Sequence, residues 1–188
     1  MEDKVICNIE LVEIVTEETS PKTFMFDTAD EATYSPDISE GKENILRVKN
    51  RIVSTNKTED IQYGSSLTFK DTAFQPEVLA IVDGGTVTKT ENKVTGYSAP
   101  AVGGVVNRIP CTINIYTSEK DTSGEVLQYA KFSYPSCKGK PAKFSFKDGE
   151  YMTPEYTMVS RPAKGAKPFD LTFVKALPTI TKSVRGEE

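Results

Sequence analysis

Hydrophobic and polar residues alternate with a period of two along much of the chain. In the segment 61–70, Ile61, Leu67 and Phe69 occupy odd positions, and the even positions are mostly polar. Successive side chains of a β-strand point to opposite faces, so this alternation predicts a half-buried strand. Similar patterns occur at 45–53, 109–117, 142–146 and 169–173. The chain is therefore predicted to be an all-β (mainly β) protein.

The first predicted strand, 5–15, changes phase along its length. Its apolar residues occupy odd positions up to Leu11 and even positions at Val12 and Ile14. A shift of one residue is typical of a β-bulge or of a strand that is covered on both faces. The segment 126–134 is apolar on both faces, which favours a central strand or one covered by a neighbouring subunit.

One segment has helical spacing instead of alternation. Its apolar stripe consists of Phe74, Val78, Ile81 and Val82. Pro76 suits the first turn of a helix, and Gly84 suits the left-handed position just after its end. These signals predict a single short α-helix over 76–83, packed on the flank of the sheet.

Two segments lack strand periodicity. The segment 27–43 carries six acids and one lysine and contains Pro36 and Gly41, so it is predicted to be a long acidic loop. Residues 178–188 are predicted to form an extended C-terminal arm. A chain of 188 residues fits one domain, here 1–177 with the acidic loop included, followed by the arm.

The chain contains no histidine. This excludes Ser-His-Asp and Cys-His nucleophiles and the HExxH zinc helix. The glycine pairs at 84–85 and 103–104 lack the spacing of phosphate-binding loops, and the acidic loop lacks the ligand spacing of an EF-hand. Cys7, Cys111 and Cys137 lack CxxC spacing and are expected to be free thiols. We therefore expect no catalytic residue, no cofactor and no metal ion.

The net charge of −4 argues against sequence-independent binding of nucleic acid. Arg47, Lys49 and Arg51 would share one face of a strand at 45–53, but no aromatic residues interleave with them to stack bases. That face is expected to be solvated or to meet an acidic surface of another subunit. The chain has no signal peptide pattern and no apolar run of about 18 residues, so a soluble, cytoplasmic protein without membrane contact is expected.

Short sequence motifs are spread from the predicted helix region onward. They are LTFKD (67–71), FQPEVL (74–79), GYSAP (96–100), RIPC (108–111), CKGKP (137–141), KDGE (147–150) and SRP (160–162). With these motifs the chain resembles, over residues 45–178, the major tail tube proteins of long-tailed (siphophage-type) bacteriophages, in particular those that infect Gram-positive hosts.

The resemblance implies a β-sandwich or barrel with one flanking helix, assembled as stacked hexameric rings. In such rings the long hairpins of the subunits join into an inner barrel around a lumen. Double-stranded DNA passes through that lumen without sequence-specific binding. The implied partners are identical copies and other tail proteins, namely the tape measure, terminator and distal tail proteins. The implied location is the virion tail, with assembly in the cytoplasm of the bacterial host.

The resemblance also suggests which residues meet the lumen and the next ring. Strands 61–70 and 109–117 would belong to the inner barrel, with five polar side chains facing the lumen: Gln62, Ser66, Thr68, Thr112 and Asn114. Rings would stack through strand 5–15, the acidic loop and the C-terminal arm. The acids of that loop are Asp27, Asp30, Glu31, Asp37, Glu40 and Glu43.

Two other functions are compatible with the sequence. The first is a monomeric carbohydrate- or protein-binding β-sandwich module, although the lack of tryptophan argues against it. Its candidate aromatic residues are Tyr34, Tyr63 and Tyr151. The second is a glycoside hydrolase that uses two carboxylates. Its candidates are Glu125, Asp148, Glu150 and Glu155.

Overall fold

The computed structural model describes residues 4–91 and 93–180. This part of the chain contains thirteen strands and one helix, which confirms the predicted all-β class. The strands are β1 Ile6–Thr16, β2 Thr23–Phe26, β3 Ala29–Ser39, β4 Glu43–Val48, β5 Arg51–Lys57, β6 Ile61–Asp71, β7 Thr86–Thr90, β8 Lys93–Ser98, β9 Cys111–Lys120, β10 Val126–Gly139, β11 Lys143–Ser145, β12 Thr153–Ser160 and β13 Asp170–Val174. The helix α1, Pro76–Asp83, lies between β6 and β7 in the chain.

Nine strands form one antiparallel sheet with the order β2-β1-β9-β10-β12-β6-β3, in which β13 also pairs with β10 and β11 with β12. The long strand β10 belongs to both halves of this sheet. Residues 126–137 of β10 pair with β9, and 129–133 also pair with β13. Its last residues, 137–139, pair with β12. The sheet therefore has two layers, joined through β10.

The two layers pack face to face around one hydrophobic core. Phe26 of β2 contacts Phe69 of β6, with ring centroids 5.8 Å apart, and Tyr34 of β3 stacks on Tyr134 of β10 at 5.4 Å. Both contacts join one layer to the other. The buried cluster continues through Ile113 of β9. This is the β-sandwich expected from the sequence.

The helix begins and ends where the sequence predicts. Pro76 occupies its first turn, and Gly84 follows it with φ 84° and donates its N–H to the carbonyl of Ala80. Phe74 was expected in the apolar stripe but is 42% exposed, because it precedes the helix, and Leu79 is buried instead. Among the described residues no helix is long and apolar enough to cross a membrane.

In the structure, the phase change in the first strand corresponds to two irregularities in the pairing of β1 with β9. The pairing of β1 with β9 shifts between Cys7 and Ile9 and again between Ile9 and Leu11. Asn8 has φ 57°, in the left-handed region that few non-glycine residues adopt. The predicted bulge is therefore confirmed, and the shift in phase explains why both Leu11 and Val12 are buried.

The predicted acidic loop at 27–43 is wrong for most of its length, because residues 29–39 form strand β3. The acidic side chains are compatible with this strand because β3 is the last strand of the sheet. The side chains of Ala32 and Tyr34 are the ones that pack against the core. Pro36 is tolerated because an edge strand has one side without ladder hydrogen bonds. Residues 178–180 of the predicted arm are outside regular structure, and 181–188 lie outside the described residues.

The predicted single strand at 45–53 is also wrong. The chain turns at Lys49 and Asn50, so β4 and β5 form a hairpin. Lys49 adopts φ 55° to make this turn. The three cations Arg47, Lys49 and Arg51 thus do not share a strand face and instead surround the hairpin tip.

Gly139 at the end of β10 gives a test of the packing between helix and sheet. A Cβ at this position would lie 1.9 Å from the carbonyl oxygen of Val82. Gly139→Ala is expected to lower the free energy of unfolding by about 2 kcal/mol, because α1 must move. The matched control is Gly96→Ala, where the nearest atom lies at 3.9 Å and a change within about 1 kcal/mol is expected. Urea denaturation measures both, and equal stabilities would contradict the packing.

Candidate assembly surface

A long β-ribbon extends from the sandwich. β3 and β6 pair with each other, and the chain continues directly from them into β4 and β5. At the junction, the amide of Gly41 donates to Asp60 Oδ1 at 2.7 Å, and the amide of Thr58 donates to the carbonyl of Lys42 at 2.9 Å. A side chain at Gly41 would collide with the backbone of Thr58. The β4–β5 hairpin is thus held as an extension of the β3–β6 pair.

The β4–β5 hairpin is exposed along its whole length. Every residue of both strands is exposed, and in the described part of the chain the two strands pair only with each other. Leu46 is 58% exposed and Ile52 is 62% exposed. The other exposed aliphatic side chains of the hairpin are Ile45, Val48 and Val53.

These aliphatic side chains lie on both faces of the ribbon. Residues directly opposite each other in an antiparallel pair share a face. Ile52 lies opposite Arg47, and Leu46 lies opposite Ser54 on the other face. An isolated two-stranded hairpin is marginally stable in water, and apolar side chains on both faces leave neither face suited to solvent. This hairpin therefore has the features of an interaction element.

The tip of the hairpin is strongly basic. Residues 44–58 contain four cations and no acid, although the whole chain carries a net charge of −4. Arg47, Lys49 and Arg51 lie at or beside the turn. The hairpin thus combines apolar faces with a cationic end. The sequence signal that could have located it is the polar pair Lys49-Asn50 between two apolar stretches.

The five residues predicted to face a lumen lie on different sides of the core. Ser66 and Thr68 lie on the outward face of β6, where the Thr68 hydroxyl lies 3.3 Å from that of Thr157. Thr112 and Asn114 lie on the outward face of β9, in the other layer. Gln62 is near the end of β6, where its amide donates to the Tyr34 hydroxyl at 2.9 Å. The structure therefore does not bring the five together.

Asn114 is only 4% exposed and belongs to a polar network on β1, β9 and β10. Its amide nitrogen donates to Glu13 Oε2 at 2.7 Å, and its oxygen accepts from the Ser133 hydroxyl at 2.6 Å. The Tyr116 hydroxyl also donates to Glu13. Burial, together with the nearby Glu13 carboxylate, raises the pKa of Tyr116. Asn114 is therefore enclosed by hydrogen-bonding neighbours and does not lie on an open surface.

The six acids predicted for ring contacts differ in their surroundings. Glu31 forms an ion pair with Lys70 on the neighbouring strand, and the hydrogen bond lowers the pKa of Glu31 and raises that of Lys70. Asp37 accepts from Arg161 at 2.6 Å, and the guanidinium of Arg161 also lies 5.1 Å from the ring centre of Tyr63. Asp27, Asp30, Glu40 and Glu43 are exposed.

The residues considered for other functions occupy separate environments. Tyr34 packs against Tyr134 and Phe169, whereas Tyr151 is almost fully exposed. Of the candidate catalytic carboxylates, Glu150 pairs with Lys147 and Glu155 with Lys143. No group of three or more metal-binding side chains occurs within residues 4–91 and 93–180.

The three cysteines are free in the structure. Cys111 and Cys137 are buried, and burial raises the pKa of each thiol to about 12. The protonated thiol is a poor nucleophile. Both residues therefore act as parts of the core.

One carboxylate is fully buried at the end of β6. Asp71 accepts a hydrogen bond through Oδ1 from the Thr28 hydroxyl at 2.5 Å and from the Ala73 amide at 3.0 Å. Among the described residues, its Oδ2 and the Tyr156 hydroxyl have no hydrogen-bond partner. Burial raises the pKa of Asp71 above its ordinary value of 3.8.

No protein-family model matches the sequence, and no curated protein matches it. Some solved structures align with most of this chain, at TM-scores below 0.5. A chain of the six-fold symmetrised anti-feeding prophage baseplate is 8% identical, with 93% of this chain and 98% of that chain covered and a TM-score of 0.45. A chain of the sheath–tube complex of an extracellular contractile injection system is 15% identical, with 90% and 93% covered and a TM-score of 0.46.

A chain of the anti-feeding prophage tube-terminating cap is 14% identical, with 94% of this chain and 95% of that chain covered and a TM-score of 0.44. These neighbours are parts of prophage and contractile injection assemblies. They do not support the narrower resemblance to long-tailed phages of Gram-positive hosts. At these TM-scores the likeness does not by itself assign a function.

The hairpin is expected to contribute little to the stability of the single subunit, because its residues are all exposed and, among the described residues, its two strands pair only with each other. A variant in which Asn-Gly replaces residues 43–57 should still join Lys42 to Thr58 through a two-residue turn. The free energy of unfolding is expected to change by no more than about 1 kcal/mol. Urea denaturation of dilute protein measures this. A loss of several kcal/mol would show that the hairpin belongs to the core.

Asp71 is expected to make stability depend on pH. Its folded-state pKa is raised, so the folded protein binds the proton more tightly than the unfolded chain does. Its contribution is fully present below the ordinary pKa and is lost as the pH rises through the folded-state pKa. Asp71→Asn should therefore flatten this fall in the free energy of unfolding. The exposed Asp148→Asn is the control and should keep the wild-type profile, and identical profiles for both variants would contradict the expectation.

Proposed function

We propose that this chain is the subunit of a phage-type tail tube, which self-assembles into stacked hexameric rings and conducts double-stranded DNA. The observation that carries the proposal is the β4–β5 hairpin, with aliphatic side chains on both faces and no covering partner within the described chain. An element of this kind is stabilised when identical subunits cover it. The sequence resemblance to tail tube proteins agrees with this function.

Free strand edges support the same proposal. β2 and β3 end the sheet, and β13 has one edge unpaired within the described residues. Unpaired edges favour pairing with another chain, and closure into a ring removes them. In the proposed ring the outward faces of β3, β6 and β12 contribute to the inner barrel. Tail tube terminator, tape measure and distal tail proteins would be its further partners, in a virion tail assembled in the host cytoplasm.

The outward face of β3, β6 and β12 has the chemistry that a DNA conduit needs. It carries mainly small hydroxyl side chains: Thr33, Ser35, Ser66, Thr68 and Thr157. Lys70 is the one cation of β6 on this face, and it is neutralised by Glu31. A face of hydroxyls with paired charges offers no fixed cation for phosphates to bind. In this proposal Gln62, Ser66 and Thr68 are near the lumen, and Thr112 and Asn114 lie on another surface.

Electron microscopy of concentrated protein tests the proposal. The wild-type protein is expected to form six-fold rings and tubes. Ile45→Asp with Ile52→Asp should abolish assembly, because each desolvated carboxylate costs several kcal/mol in the covered state. The matched control changes two exposed valines outside the hairpin, Val102→Asp with Val105→Asp, and should still assemble. A wild-type protein that stays monomeric at every concentration would overturn the proposal and favour a monomeric binding module.

A further inference from the structure

A groove lies between β2 and the start of α1. No residue of the β4–β5 hairpin contributes to its lining. It has a volume of about 400 Å³ and is lined by residues 23–28 on one side and 73–77 on the other. Val94 and Ile180 also contribute to its lining. The apolar side chains include Phe24, Met25 and the half-exposed Phe74. The groove is therefore an uncovered surface of mixed apolar and polar side chains in the described structure.

The groove contains a free strand edge. β2 pairs with β1 through Val12–Phe26 and Val15–Thr23, and it is the last strand on its side of the sheet. In the part of the chain that the structure describes, the other edge of β2 has no strand beside it. Such an edge can accept a further strand through main-chain hydrogen bonds, with side chains entering adjacent pockets.

The groove also has an acidic rim. Asp27 and Glu77 both line it, and because Glu77 is already paired with Lys89, the negative charge that the rim offers a partner is mainly that of the exposed Asp27. Another cleft among the described residues, of about 160 Å³, is lined entirely by neutral side chains of β1, β3, β6, β9 and β10. Of these two cavities, the β2–α1 groove is thus the one whose charge is opposite to that of the hairpin tip.

We infer that the β4–β5 hairpin of one copy docks in the β2–α1 groove of another copy. Aliphatic side chains of the hairpin cover the groove, and the basic tip with Arg47, Lys49 and Arg51 meets the rim at Asp27. Six residues of β4 span about 20 Å, which is long enough to reach a neighbouring subunit. This inference rests on the proposed self-assembly and specifies the surface that the hairpin meets.

The contact joins two different surfaces of the same chain. Each subunit offers one hairpin and one groove, so the contact is heterologous and repeats from copy to copy. Heterologous contacts close into a ring when the rotation allows and otherwise continue as a stack. Either arrangement agrees with a tube, and neither would produce an isolated dimer.

Cysteine cross-linking of the assembled full-length protein tests the contact. The variant carries Ile52→Cys in the hairpin and Met25→Cys in the groove, in a Cys7→Ser background that removes the one native thiol that is not buried. Mild oxidation is expected to give a ladder of disulfide-linked dimers and higher oligomers. The matched control replaces the hairpin position by Val105→Cys, which is also exposed, and should give no ladder.

Charge reversal provides a second readout. Arg51→Glu is expected to raise the concentration needed for assembly by at least about tenfold. Adding Asp27→Arg should restore assembly, because the reversed charges attract again. As a control, Lys164→Glu changes an exposed cation outside the hairpin and should assemble like the wild type.

The outcomes separate this inference from the proposed function. Tubes that form without a 52–25 cross-link, and that tolerate Arg51→Glu, would overturn the inference and leave the tube intact. A protein that never assembles would overturn both. If Met25→Cys reacts with a thiol reagent only after residues 181–188 are removed, the groove is filled by the chain's own C-terminal residues and the inference is wrong.

Discussion

Apolar side chains on both faces of the β4–β5 ribbon are the constraint on which the proposed assembly depends. The hairpin cannot bury them on itself, since its two strands are neighbours within one layer. Covering five aliphatic side chains that are about half exposed would contribute roughly 1 kcal/mol each. Association costs about 4–15 kcal/mol in lost freedom of motion. One hairpin contact is therefore weak, and stable assembly requires several contacts that form together, as in a closed ring.

The rest of the subunit provides a rigid base for that ribbon. The β4–β5 ribbon continues into β3 and β6, and the close approach of Gly41 to Thr58 fixes this junction. Arg161 adds contacts with Asp37 and Tyr63. Behind this base, Phe69 and Leu67 of β6 are part of the core. The ribbon is thus exposed at one end and anchored in packed side chains at the other. The backbone at the anchored end is therefore already ordered before a partner covers the exposed end.

Sequence patterns predicted the elements in which one face is clearly apolar. β6, β9, the bulged β1 and the helix α1 follow from alternation, a phase shift and helical spacing, because each places its apolar residues against one core. The pattern failed at 27–43, where acids, Pro36 and Gly41 concealed the inward positions Ala32 and Tyr34. It failed again at 45–53, where apolar residues on both faces of a ribbon obscured the turn at Lys49.

The predicted lumen residues show a different limit of what sequence alternation can predict. Alternation identifies Thr68 and Asn114 as outward-facing on their own strands, and the structure agrees on this for both. It cannot tell whether two strands belong to the same layer, because that depends on how the sheet folds over at β10. Since β6 and β9 lie in opposite layers, side chains with the same pattern point to different surroundings, and Asn114 is enclosed by Glu13 and Ser133.

The passage of β10 through both layers has a mechanical consequence. Two sheets that pack face to face are held together mainly by their interdigitating side chains. Here a single covalent backbone, anchored by β9 on one side and β12 on the other, carries load between the layers. To slide one layer over the other, a shearing load would have to break ladder hydrogen bonds of β10 as well as side-chain contacts.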